Sequence, residues 1–150
     1  MFKFTVQADV SKLTDKITKD FAPGGAVQNL WDETVFTGSV PYMPMVTGTL
    51  INLSRASTVM GSGELIYPGP HSHYLWEGVL YVDPVYGKGA FYDPVYGFWS
   101  RPGITKVPSE KELEFNKESN PDAGPRWVER AANDNMPTWI ESLKDEIRKR

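Results

Sequence analysis

Cysteine is absent from all 150 residues, which excludes disulfides, thiolate metal sites and a thiol nucleophile, and fits a reducing compartment. No apolar run approaches the length of a membrane span, so no membrane partner is expected. The opening MFKFTVQADV has neither a basic flank with a long apolar stretch nor a small-residue cleavage site, and no export signal is expected from it. Basic residues are not in excess: 16 Lys and Arg against 19 Asp and Glu give a formal charge of −3. Broad nucleic-acid binding, which needs clustered cations to neutralise phosphates, gains no support. The one basic cluster, Arg148-Lys149-Arg150, closes a helix, where cations oppose the C-terminal dipole. Several catalytic signatures are missing too: there is no G-x-S-x-G elbow, no phosphate loop and no dinucleotide fingerprint.

What is abundant is glycine, proline and aromatic side chains, at 13 Gly, 12 Pro and 13% aromatic, a composition that points to long, shaped loops carrying contact residues. The length suits one domain spanning 1–150. Phe2, Phe4 and Val6 alternate with polar residues as a half-buried strand does. Asp9 can cap a helix with Val10, Leu13, Ile17 and Phe21 on one stripe, broken by Ala22-Pro23-Gly24-Gly25. A second helix, with Val27, Leu30, Trp31, Thr34 and Val35 at helical steps, runs until Gly38. The segment from Pro41 to Gly48 reads as rigid and extended, and Thr47 as the cap of a short helix through Leu50, Ile51 and Leu53. Ser57 to Met60 and Glu64 to Tyr67 are expected to pair as a hairpin about Gly61-Ser62-Gly63.

Residues 63 to 78, GELIYPGPHSHYLWEG, are the densest stretch: a strand halted by Pro68-Gly69-Pro70, a short helical turn from His71 to Glu77, and Gly78 as its stop. Val79 to Val82 resumes as a strand. Beyond it YVDPVYG at 81–87 recurs as FYDPVYG at 91–97, too short a unit for a solenoid and suited to a long hairpin or two similar Asp-Pro turns. Asp83 and Asp93 are read as turn formers. From 83 to 108 periodicity is lost, so this segment is expected to be an extended loop or hairpin displaying Tyr86, Tyr92, Tyr96, Phe98 and Trp99. Lys111 to Phe115 reads as a returning strand that closes the sheet. Asn120 to Pro125 turns the chain into a final helix in two parts, the second capped by Asn135 with Pro137 in its first turn.

His71, His73 and Glu77 have the spacing H-x-H-x-x-x-E, which on a strand could supply two imidazoles and a carboxylate to one metal ion. This is the enzymatic alternative, a small metal-dependent, cupin-like enzyme. Leu65 stands where cupins place a glycine, no third histidine exists, and Tyr-Pro-Gly-Pro favours a turn and helix that would splay the pair. A third class is a carbohydrate-binding module that stacks the aromatic repeat on sugar rings.

Four ordered blocks carry a family resemblance. They are Pro41-Tyr42-Met43-Pro44 with Thr47-Gly48-Thr49-Leu50; Ile66-Tyr67 to Pro70 with Tyr74-Leu75-Trp76-Glu77-Gly78; Thr105-Lys106 with Leu113-Glu114-Phe115; and Asn120-Pro121 with Ala123-Gly124 and Trp127 to Ala131. Over roughly residues 10 to 145 the chain resembles the minor capsid or head-to-tail joining proteins of tailed bacteriophages, the tail-completion or neck group. The family commonly has a small or aromatic pair followed by arginine where this chain has His71-Ser72-His73, and its final helix is usually unbroken near Met136-Pro137. The resemblance implies an α+β fold, a small antiparallel β-sheet flanked by N-terminal and C-terminal helices with a long Pro/Gly/aromatic loop, and no catalytic centre, metal or cofactor. It also implies a virion protein, present in the host cytoplasm during assembly, that forms a ring with itself and meets adjacent neck, head-closure or tail-tube proteins while DNA passes through the lumen without specific binding. On that basis Tyr86, Tyr92, Tyr96, Phe98 and Trp99 are the expected interface, with Arg101 as its polar anchor.

Overall fold

The computed structural model describes residues 2–6, 19–69 and 71–149. The expected Asp9 cap and the stripe residues Val10, Leu13 and Ile17 lie outside the described residues. Residues 19–21 are helical and the chain breaks at Ala22-Pro23-Gly24-Gly25 as expected, with Gly24 at φ 82°.

The fold is α+β: helices combined with small antiparallel ladders. Strand β1 (Phe2–Thr5) pairs with β2 (Glu64–Tyr67), in register Phe2 to Tyr67 and Thr5 to Glu64. Helix α1 (Ala26–Ser39) and the C-terminal helix α4 (Trp127–Arg148) pack together beside this ladder. Helix α2 (Thr49–Ser57) packs against β2, and α3 (Ser72–Glu77) leads through Gly78 into β3 (Val79–Val82). β3 pairs with β6 (Val107–Glu112), and between them β4 (Phe91–Asp93) and β5 (Gly97–Trp99) form a hairpin of their own. The strands are thus distributed over three two-stranded ladders.

An aromatic cluster fills the centre. Phe36, Met43, Leu65, Tyr67, Trp127 and Val128 are buried, and Trp76 closes one side. Trp127 meets Tyr67 and Trp76 edge-on at centroid distances of 5.3 and 4.9 Å, the offset geometry that ring quadrupoles favour. Helix α4 crosses α1 closely because Gly38 has no side chain: a Cβ there would lie 2.5 Å from Cζ2 of Trp139. Gly78 is constrained twice, by φ 72° at the end of α3 and by Pro125, whose Cβ would be 2.7 Å from an added Cβ.

Five local expectations are corrected. The hairpin of Ser57–Met60 with β2 does not form: α2 runs on to Ser57, and β1 takes the edge of β2. The physical reason is Asp32, a fully buried carboxylate on α1 that accepts the amides of Gly61 and Gly63 at 2.8 and 2.9 Å and wraps the glycine turn around itself. Gln28 braces that carboxylate at 2.7 Å and also reaches the carbonyl of Val6. Thr47 does not cap α2, whose N-cap is Gly48 at φ 79°, and its hydroxyl shares a hydrogen bond with Thr49 instead. Pro41 opens a single 3-10 turn, Val40–Tyr42, before the chain extends at Met43. The returning strand lies earlier than Lys111–Phe115, because its partner β3 starts at Val79 and offers nothing to pair with beyond Gly78. Finally, α4 is one helix of 22 residues with Pro137 inside it. Asn135 does not cap a second segment; its side-chain amide donates back to the carbonyl of Ala131 at 3.0 Å and to Tyr42 Oη at 3.2 Å.

Among the described residues no helix is long and apolar enough to cross a membrane.

Candidate interaction surface

The repeated Asp-Pro units build a protruding arm from two copies of one turn. Proline fixes φ at the first turn position, and the aspartate before it accepts the amides two and three residues on. Asp83 Oδ1 accepts Val85 N at 2.8 Å and Tyr86 N at 3.2 Å; Asp93 Oδ1 accepts Val95 N at 2.8 Å and Tyr96 N at 3.0 Å. Gly87 and Gly97 follow at φ 66° and 79°, where a side chain would be strained. The second unit is the tip of the β4–β5 hairpin, and the first is its base.

Base and tip differ in what surrounds the carboxylate. Asp93 lies at the exposed tip, whereas Asp83 is buried and gripped by Arg101, Nε to Oδ2 at 2.6 Å and Nη2 to Oδ1 at 2.8 Å. The Arg101 guanidinium, helped by the Val85 and Tyr86 amides and opposed by desolvation, holds the Asp83 carboxyl well below the usual carboxylate range. The same pairing pushes the Arg101 guanidinium up. Arg101 also lies over the ring of Tyr86, 4.9 Å from its centroid, and Lys106 Nζ donates to the carbonyl of Gly89 beneath the arm.

The hairpin has two aromatic faces because strand side chains alternate. On one, Phe91 stacks on Trp99 at 4.7 Å and meets Tyr86 edge-on at 5.6 Å. On the other, Tyr92 and Phe98 form a cross-strand pair at 5.2 Å. Every aromatic expected to be displayed is displayed: Tyr86, Tyr92, Tyr96, Phe98 and Trp99 are 58, 65, 87, 78 and 47% exposed. Arg101 lies at the base rather than at the tip, with its guanidinium held within the chain. Val85 and Val95, one from each repeat, add to the exposed apolar surface. Their equivalent positions in the two repeats are the signal in the sequence that pairs these valines with the tyrosines.

The histidine stretch has a different fate. His71 precedes α3, His73 packs against Tyr74 at 5.8 Å, and the Glu77 carboxylate pairs with Arg126 at 2.9 Å. Among the described residues no group of three His, Asp or Glu converges as a metal ion would require. The short helix is what separates them, since His71 and His73 are not on one helical face.

All four sequence blocks meet in space, the third through the Leu113 amide, which donates to the carbonyl of Gly78 at 2.9 Å. The Asn120 amide donates to the carbonyls of Val40 and Met43, both at 3.0 Å. Arg130 donates to the carbonyls of Pro125, Asp122 and Tyr42, and lies 5.4 Å from the centroid of the Tyr42 ring. Arg126, in the left-handed region at φ 50°, bonds the carbonyl of Trp76 through its amide and covers the Trp76 ring. The blocks are joints of the scaffold.

No family model matches this chain, and neither a curated protein nor a solved structure matches it.

Proposed function

We propose that this protein is a structural component of the tailed-phage virion that joins head to tail, a tail-completion or neck protein that assembles as a ring and meets its neighbours through the arm. The observation that carries the reading is the arm itself: five aromatics and two valines held in solvent on a braced hairpin. Such a surface is costly in water and gains its value against a partner. The unbroken α4 across Pro137 agrees with the final helix usual in the family that the sequence resembles. A chain of charge −3 is compatible with DNA sliding through a lumen without strong phosphate contacts. The partners in this reading are further copies of the chain and the adjacent neck, head-closure or tail-tube proteins, in the virion and in the host cytoplasm during assembly.

The test is quantitative mass spectrometry of purified tailed particles that encode the chain, counted against the portal protein. A fixed low ratio, near one ring per particle, is expected. Absence from complete tailed particles would remove the reading.

A further inference from the structure

The two faces of the arm differ in how far the chain already covers them. On the Phe91 face Tyr86 meets Phe91 edge-on, Lys88 lies 5.5 Å from the centroid of the Phe91 ring, and Arg101 lies over Tyr86. Alternation puts Asp93 on that side as well. The opposite face is built on the cross-strand pair of Tyr92 and Phe98, and neither strand places a charged side chain there. Those two rings are left largely exposed, and the turn residues Val95 and Tyr96, more exposed still, adjoin them at the tip.

We infer that in the free protein this face packs against the same face of a second copy, a two-fold contact of arm on arm centred on Tyr92 and Phe98. The inference goes beyond the neck reading and does not depend on it: the dimer keeps the aromatic face out of water until another partner takes its place. Area is the first argument. Tyr92, Val95, Tyr96 and Phe98 expose roughly 600 Å² on each copy, so two faces together bury about 1,200 Å², the lower bound of a specific interface. Extent is the second. Among the described residues, the exposed large apolar side chains of the body, Val46, Leu53, Val59, Tyr74 and Ile140, stand on five different segments, so the surface of this chain that matches the arm face in size is another arm face. Charge is the third. A two-fold contact sets side chains near its axis against their own copies, where like charges would repel, and this face carries none. Strand number is the fourth: a hairpin of three cross-strand pairs is marginal alone in water, and two stacked about 10 Å apart make a four-stranded sandwich.

Sedimentation equilibrium of the full chain from about 1 µM to about 1 mM tests the contact. A reversible monomer–dimer equilibrium that stops at two copies is expected. Phe98→Lys, which brings two ammonium groups together across the axis, should raise the dissociation constant at least about tenfold. Val59→Lys, an exposed change away from the arm, should leave it unchanged. Because Phe98→Lys also removes half of the cross-strand pair, the unaltered chain supplies a second readout. Isotope-filtered NMR of mixed labelled and unlabelled protein should show contacts between copies at the Tyr92 and Phe98 rings. A chain still monomeric at about 1 mM, assembly beyond two copies, a dimer indifferent to Phe98→Lys, or a dimer without those ring contacts would overturn the inference. A ring-like copy number in particles would leave the neck reading standing in each case.

Discussion

Arg101 holds Asp83 through two nitrogens across eighteen residues of sequence, and the arm is moored to the body at that pair. Asp83 has a folded pKa depressed below its unfolded value of about 4. A depressed carboxylate contributes order that is complete above the unfolded pKa and is lost as pH falls through the folded one. NMR signals of the Val85 and Tyr86 amides should therefore stay at their neutral-pH positions down to about pH 4 and shift only in stronger acid. Arg101→Ala should shift them already at neutral pH and leave Val95 and Tyr96, bonded to Asp93, unmoved. Arg101→Lys should restore little, because an ammonium cannot make the forked contact. Equal shifts in both turns of Arg101→Ala would contradict the mooring.

Gly38→Ala sets two effects against each other. Alanine gains about 1 kcal/mol over glycine within a helix, while overpacking a buried contact costs about 1–3 kcal/mol. The Trp139 ring is buried against α1 and meets Trp31 edge-on, so it has little room to retreat. The net expectation is destabilisation by about 1 kcal/mol, read by urea denaturation with tryptophan fluorescence. A more stable variant would show that the helices can separate without cost.

Pro137→Ala should stabilise. Proline within a helix removes an amide and crowds the preceding turn, at a cost of up to about 3 kcal/mol. Pro137 is exposed and α4 is already continuous, so the substitution restores a donor without disturbing packing. A gain of about 1–2 kcal/mol is expected in denaturant titration. An unchanged midpoint would contradict it.

Tyr67 gives a pH dependence of the opposite kind. Burial pushes its phenol up to about 12, with the neighbouring Ser39 and Trp127 side chains opposing that shift, and its Oη makes no hydrogen bond of normal geometry. Above about pH 10 the unfolded chain loses this proton while the folded one keeps it, so stability falls from there towards the folded pKa, by up to about 3 kcal/mol. Tyr67→Phe should remove that alkaline loss. At neutral pH it should be neutral or stabilising by about 1 kcal/mol, since it deletes a buried hydroxyl that makes no well-formed hydrogen bond.

The elements visible in the sequence are those fixed by near neighbours. Helix α1 follows from the spacing of Val27, Leu30 and Trp31; the end of α3 from Gly78; the arm turns from Asp-Pro followed by glycine. What was not visible depends on distant partners. Period two gives the faces of β2 but not the identity of β1 as its neighbour, more than sixty residues earlier. Asp32 reads as a polar residue on an amphipathic helix, yet its partners are the amides of Gly61 and Gly63. Pro137 reads locally as a boundary, but Trp127 and Ala131 before it and Trp139 after it are all buried, and packing on both sides carries the helix through. For the candidate surface, the aromatics were legible and the mooring was not, since nothing local relates Arg101 to Asp83.

The arm is assembled from a single part used twice, once fastened and once free. Asp83 makes the fastened turn and Asp93 the free one, ten positions later with the same D-P-V-Y-G letters. Reach and attachment are therefore governed by different residues. Lengthening β4 and β5 together by three residues each would carry Tyr96 farther from the body, by about 10 Å, while Arg101 kept its grip. Distance to a neighbour becomes a matter of how many cross-strand pairs separate the two turns, a dimension that can change without a single substitution in the aromatic core.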